Sequence, residues 1–141
     1  MDGVILTPLM QINHPKGDIY HALKKSADTF LGFGEAYFTS ITFNDIKGWK
    51  KHSHMALNLI VPVGCVEFVI HDDRVHSTTK GEFFAVQLSQ DNYQRLTILP
   101  GLWVAFKGCS KDLNLVLNIA SIEHDPKESI NVDLMAIAYE W

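Results

Sequence analysis

The stretch Ile46-Lys-Gly-Trp-Lys-Lys-His-Ser-His-Met55 reads as an extended strand leading into the apolar run Leu57–Val63. On a strand, side chains two residues apart point to the same side. Lys50, His52 and His54 therefore share one row, with Asn58 further along it. Two imidazoles and an ammonium on one row are costly to bury unless a ligand or partner faces them. The row is expected to form the floor of a polar pocket.

Around it the signals are mostly those of strands. Val4–Leu9 is a short apolar opener, and His14-Pro-Lys-Gly17 is a turn. Gly34–Phe43 is β-branched and aromatic and ends at the turn Asn44-Asp45. Leu57–Val63 and Cys65–His71, separated by Gly64, read as a hairpin, with Pro62 at a strand end where no ladder donor is needed. Glu82–Leu88, Gln94–Ile98, Gly101–Lys107 and Leu113–Ala120 follow at regular spacing. This pattern predicts an all-β sandwich or barrel. Helix-like patterns are limited to Ile19–Phe30 and a weak segment near the C-terminus.

With 141 residues the chain is expected to be one domain. A net charge of −4 and no block of Lys or Arg argue against a nucleic-acid partner. No signal peptide and no membrane-spanning run are read, and Cys65 and Cys109 read as a reduced, cytoplasmic pair.

Proton-transfer catalysis needs a base and a donor that steadies the negative charge left behind. His52 suits the first role, and Lys50 suits the second or serves as an alternate base. Tyr37, two residues from Glu35 on its strand, is a candidate acid. Trp49, Trp103 and Tyr37 could stack on the face of a ligand ring. Asn114 and Asn118 share a face and could bond ligand hydroxyls, while Arg95 and Thr97 share another. A metal reading of His52-Ser-His54 lacks a carboxylate, because Asn58 stands where one would be needed. No metal and no cofactor are expected.

The ordered set Lys47-Gly-Trp-Lys-Lys-His52, Asp72-Asp-Arg74, Leu88-Ser-Gln-Asp-Asn92 and Leu99-Pro-Gly-Leu-Trp-Val-Ala-Phe106 resembles the dTDP-4-dehydrorhamnose 3,5-epimerase family. It is also similar, more loosely, to the dTDP-sugar 3,4-ketoisomerases. The resemblance implies a cupin jelly roll, also described as a double-stranded β-helix, acting on a nucleotide-linked 4-keto-6-deoxy sugar in bacterial surface polysaccharide synthesis. It places a phosphate-binding arginine of the family at Lys47, another at Lys16, and the catalytic histidine at Lys50. In the ketoisomerase run, Arg-Gly-x-His-Ala-His, the second histidine falls at His52. The family's tyrosine acid falls near Leu117, and its dyad carboxylate has no assigned position. Lys16, Lys47 and Arg95 could meet a diphosphate, with Trp49, His54, Asn58, Trp103 and Asn118 as further substrate contacts. The family also implies a homodimer in which Val4–Leu9 and Glu35–Phe43 extend a sheet by strand exchange. The alternative is a non-catalytic cupin that binds a sugar nucleotide or carbohydrate, its catalytic residues having been replaced.

Overall fold

In the computed structural model, which describes residues 1–141, two five-stranded antiparallel sheets pack face to face as an all-β cupin jelly roll. Strands β1 (Val4–Pro8), β4 (Glu35–Ile41), β6 (Leu57–Val63), β9 (Gln94–Ile98) and β11 (Asn114–Ala120) form one sheet, in the order β1-β9-β6-β11-β4. Strands β5 (Ile46–His52), β7 (Cys65–His71), β8 (Phe83–Ser89), β10 (Trp103–Gly108) and β12 (Ser129–Asn131) form the other, in the order β12-β5-β10-β7-β8. Strands β2 (Gln11–Ile12) and β3 (Ile19–Tyr20) make a small separate ribbon. No helix is long and apolar enough to cross a membrane.

The core follows from alternation. Leu57, Leu59 and Val61 point inward from β6, and Val66, Phe68 and Ile70 meet them from β7. Each fully buried side chain of this size contributes roughly 1.5–3 kcal/mol. A second cluster, Trp49, Val69, Trp103 and Ala105, lies on the outer face of the β5-bearing sheet. The C-terminal residues Val132, Leu134, Ile137, Tyr139 and Trp141 cover it.

Three local expectations are corrected. Leu57–Val63 and Cys65–His71 are not a hairpin, because β6 pairs with β9 and β11 while β7 pairs with β8 and β10. A one-residue link is shorter than the two-residue loops hairpins use. Gly64 instead turns the chain from one sheet to the other at φ +82°, where a Cβ would lie 2.3 Å from the Leu113 carbonyl oxygen.

Ile19–Phe30 is not a helix. Its carbonyls are committed elsewhere: His21 O accepts from Tyr93 Oη at 2.8 Å, and Ala22 O from Arg95 Nη1 at 2.7 Å. The C-terminal helical signal reduces to two 3-10 turns, Pro126–Glu128 and Leu134–Ala136.

The loop after β7 is organised around Asp72, which is wholly buried. Its carboxylate accepts from Arg74 Nε and Nη2 at 2.9 and 2.8 Å, and from Ser77 Oγ and Thr79 Oγ1 at 2.5 and 2.7 Å. The Arg74 hydrogen bonds, with help from Ser77 and Thr79, hold the carboxyl far below the ordinary carboxylate range. The folded state therefore gains stability from Asp72 above the unfolded carboxylate value of about 4, and loses it as pH falls below that. Asp72→Ala leaves Arg74 only Asp2 and Ser77, removes the acceptor of Ser77 and Thr79, and is expected to cost about 2 kcal/mol. Urea unfolding at pH 7 checks this.

Candidate functional site

A cavity of about 250 Å³ opens between the two sheets. This is just under the ~300 Å³ at which small-molecule sites usually begin. Leu57, Leu59, Phe68, Val104, Phe106 and Val116 make its apolar wall. Its polar groups are Tyr37, Thr39, Lys47, Lys50, His52 and Asn118.

The β5 side of the cavity is shaped by a bulge. Val104 pairs with Lys50 and Phe106 with Lys47, so three steps along β5 match two along β10. On a regular strand Lys47 and Lys50 would face opposite sides, yet the extra residue brings both to the cavity. Gly48 sits at the bulge with φ +149°, and a Cβ there would lie 2.4 Å from that of Ala105. Lys47 is already engaged, since its Nζ donates to Ser40 O at 2.7 Å and to Thr39 Oγ1 at 3.4 Å.

His52 is 6% exposed, and its Nδ1 is bonded to Glu128 Oε1. Glu128, 7% exposed, sits in the turn after Asp125-Pro126, and its Oε2 also accepts from the backbone N–H groups of His54 and Met55 at 3.2 and 3.3 Å. Burial works to raise the Glu128 carboxyl, but the His52 bond and the two backbone donors overcome it and hold it below its ordinary value. An ionised carboxylate on Nδ1 keeps the proton on that nitrogen and leaves Nε2 as the basic one. Glu128 is a carboxylate partner of His52 that the sequence reading did not name. No local pattern points to it, because its partner lies 76 residues away.

Tyr37 and Asn118 stand on the opposite wall as directly paired residues of β4 and β11. Asn118 Nδ2 donates to Tyr37 Oη at 3.0 Å, so the phenol's own proton remains free to donate. Asn118 Oδ1 is buried with no partner in the protein. Leu117, where the family's tyrosine falls, is on the other side of β11, since the buried members of that strand are Asn114, Val116, Asn118 and Ala120. Asn114 is structural: its Oδ1 accepts from Cys65 N and Ser110 N, both at 3.0 Å.

The cavity thus gathers Lys47, Lys50, His52, Tyr37 and Asn118 from the expected set. The others lie elsewhere. Trp49 and Trp103 point to the outer cluster, with Trp49 Nε1 on Leu134 O at 3.3 Å and Trp103 Nε1 on Asp73 Oδ2 at 2.8 Å. Asn58 and Arg95 face outward from their sheet. Asn58 Oδ1 accepts from Thr97 Oγ1 at 2.7 Å, and Arg95, 2% exposed, bonds Ala22 O and Thr29 Oγ1. Arg95 and Thr97 do share a face, but it is the one covered by residues 21–29. His54 is exposed beyond the end of β5, where the chain bends, and Lys16 is exposed in the turn between β2 and β3.

No family model matches the chain. The chain is 36% identical to a solved dTDP-sugar isomerase from Desulfovibrio desulfuricans G20, covering 99% of this chain and 91% of that one at a TM-score of 0.95. A Legionella pneumophila dTDP-6-deoxy-D-glucose-3,5-epimerase, solved with dTDP-4-keto-L-rhamnose, shares the fold at 18% identity and a TM-score of 0.84, covering 96% of this chain and 75% of that one. Among curated proteins, a spore coat polysaccharide biosynthesis protein of Bacillus subtilis (strain 168) is 22% identical, covering 100% of this chain and 96% of its own length.

Proposed function

This chain belongs to the dTDP-sugar isomerase and dTDP-4-dehydrorhamnose 3,5-epimerase-like cupin family, and we propose that it is an epimerase or isomerase of a dTDP-4-keto-6-deoxyhexose in bacterial surface polysaccharide synthesis. The observation that carries the catalytic reading is the buried His52–Glu128 pair, with His52 on the wall of the cavity between the sheets. His52 Nε2 takes the proton on the carbon beside the sugar ketone. Lys50, on the same strand face, assists at the carbonyl. Tyr37 returns or donates a proton from the opposite wall, and the unpartnered Asn118 Oδ1 accepts from a sugar hydroxyl.

The alternative of a binding protein with its catalytic groups replaced is less well supported. The base is displaced along β5 from Lys50 to His52, and a tyrosine is present on β4 rather than β11. Each missing group has a substitute within the same cavity.

The test is solvent exchange. Incubation with dTDP-4-keto-6-deoxyglucose in D2O is expected to place deuterium at C3 or C5, read by NMR. Absence of exchange there and in other 4-keto sugar nucleotides would leave only the binding reading. Tyr37→Phe is expected to slow product formation by roughly 10²-fold, the scale of one acid or base group, while exchange at the carbon facing His52 is less affected.

We extend the proposal to a cytoplasmic homodimer. Its support is that β1 and β4 are the two edge strands of their sheet, each with one unpaired side. Phe38 on β4 is 62% exposed. Both strands are paired within their own chain, so association along these free edges needs no exchange of strands. Light scattering is expected to return twice the mass of the chain.

A further inference from the structure

Three lysines lie in the run Lys47–Lys51, and two are tied down. Lys47 is held by Ser40 O, and Lys51 Nζ lies 2.8 and 2.9 Å from the Asp73 carboxylate oxygens and 4.5 Å from the Trp103 ring centroid. Lys50 differs. It is half-buried on the wall of the cavity, and its amine has neither a hydrogen-bond nor an ion-pair partner. A half-buried amine without a partner on the cavity wall, two residues from a His–Glu pair, is placed for nucleophilic attack on a carbonyl.

Resting on the keto-sugar reading, we propose that Lys50 forms an imine with the sugar ketone, so that its assistance to proton removal is covalent. The Nζ lone pair bonds to the carbonyl carbon. The oxygen gains two protons, one from the amine and one from a donor in the cavity, and leaves as water. In the resulting iminium ion, the proton on the neighbouring carbon passes to His52 Nε2. The C–H electron pair becomes a C=C bond, and the C=N pair returns to nitrogen. Protonation of that carbon followed by addition of water regenerates the ketone and the free amine. No oxidant or reductant enters.

The backbone supports this division of labour. Lys50 and His52 lie beyond the bulge, where β5 is flanked on both sides. Lys50 pairs with Val104 and Asn131, and His52 with Ser129. Alternate residues on a strand are about 6.6–6.8 Å apart along it. A carbonyl carbon bound to Lys50 can therefore bring its neighbour within reach of His52. The imine removes the ketone oxygen, whereas carbonyl migration must keep that oxygen as a hydroxyl. The proposal therefore selects exchange or inversion at the adjacent carbon over carbonyl migration.

The experiment combines trapping with exchange. Protein and Lys50→Arg are each incubated with dTDP-4-keto-6-deoxyglucose, in D2O for exchange and separately with sodium cyanoborohydride for intact mass and peptide mapping. The expected result is an adduct equal to the substrate less one oxygen atom, mapped to Lys50 and absent from Lys50→Arg. Lys50→Arg keeps a long basic side chain but cannot form the imine, and its exchange should fall on the order of 10²-fold. Exchange by the wild-type protein without an adduct on Lys50, or Lys50→Arg exchanging at the wild-type rate, overturns the imine and leaves the keto-sugar reading standing. Neither exchange nor adduct in the wild type overturns both.

Discussion

His52→Asn is expected to lower deuterium exchange into a dTDP-4-keto-6-deoxy sugar by about 10²–10⁴-fold, the contribution of a positioned general base. The imidazole is the one cavity group held by a buried carboxylate. Asparagine keeps a polar group within reach of Glu128, so the carboxylate does not lose every polar neighbour on that side. The backbone donors of His54 and Met55 also remain on Glu128. The fold should therefore survive, and the midpoint of thermal unfolding separates a catalytic loss from a structural one. Wild-type exchange in a folded His52→Asn protein would remove His52 from the chemistry.

Glu128→Gln is expected to cost nearly as much, although it touches no substrate and changes neither shape nor size. Two backbone N–H groups point at one oxygen of residue 128, so the glutamine carbonyl settles there. Its amide then faces His52 Nδ1 and donates to it. That hydrogen bond moves the imidazole proton to Nε2, the atom that must be basic. Wrong-tautomer substitutions of this kind reduce turnover by up to about 10⁴-fold in enzymes built on a carboxylate–histidine pair.

The same exchange has a pH signature. Because the folded state holds Glu128 below its ordinary value, the carboxylate stabilises the fold above about pH 4.3 and stops doing so as pH falls below that. Glu128→Gln should be less stable than wild type at neutral pH, with the gap narrowing in acid. Chemical unfolding at two pH values checks this, and NMR of the His52 ring nitrogens reads the tautomer directly.

Strand positions were legible because short apolar and β-branched runs bounded by turn residues mark the larger strands, with clean alternation in Asn114–Ala120. Pairing was less so. Leu57–Val63 and Cys65–His71 are adjacent in sequence and equally apolar, yet each is an interior strand of a different sheet. Period-two reasoning finds which residues share a face but not which face meets the cavity. Arg95 and Thr97 are together, as expected, on the wrong side of their sheet. Trp49 and Trp103 read as ligand stackers only while the C-terminal segment that covers them is unaccounted for. At β5 the bulge breaks the period itself, which is why Lys47 joins Lys50. Glu128 was hidden for another reason: a carboxylate in a three-residue turn acquires its role only when the fold carries it to a histidine far away in sequence.

The most direct test of the account is a crystal structure with a dTDP-linked 6-deoxyhexose bound. The sugar ring is expected between the two walls, with C3 or C5 within about 3.5 Å of His52 Nε2, a near-attack distance, and a ring hydroxyl on Asn118 Oδ1. A ring seated outside the sandwich, with His52 Nε2 turned to solvent and Glu128 released from Nδ1, would contradict it.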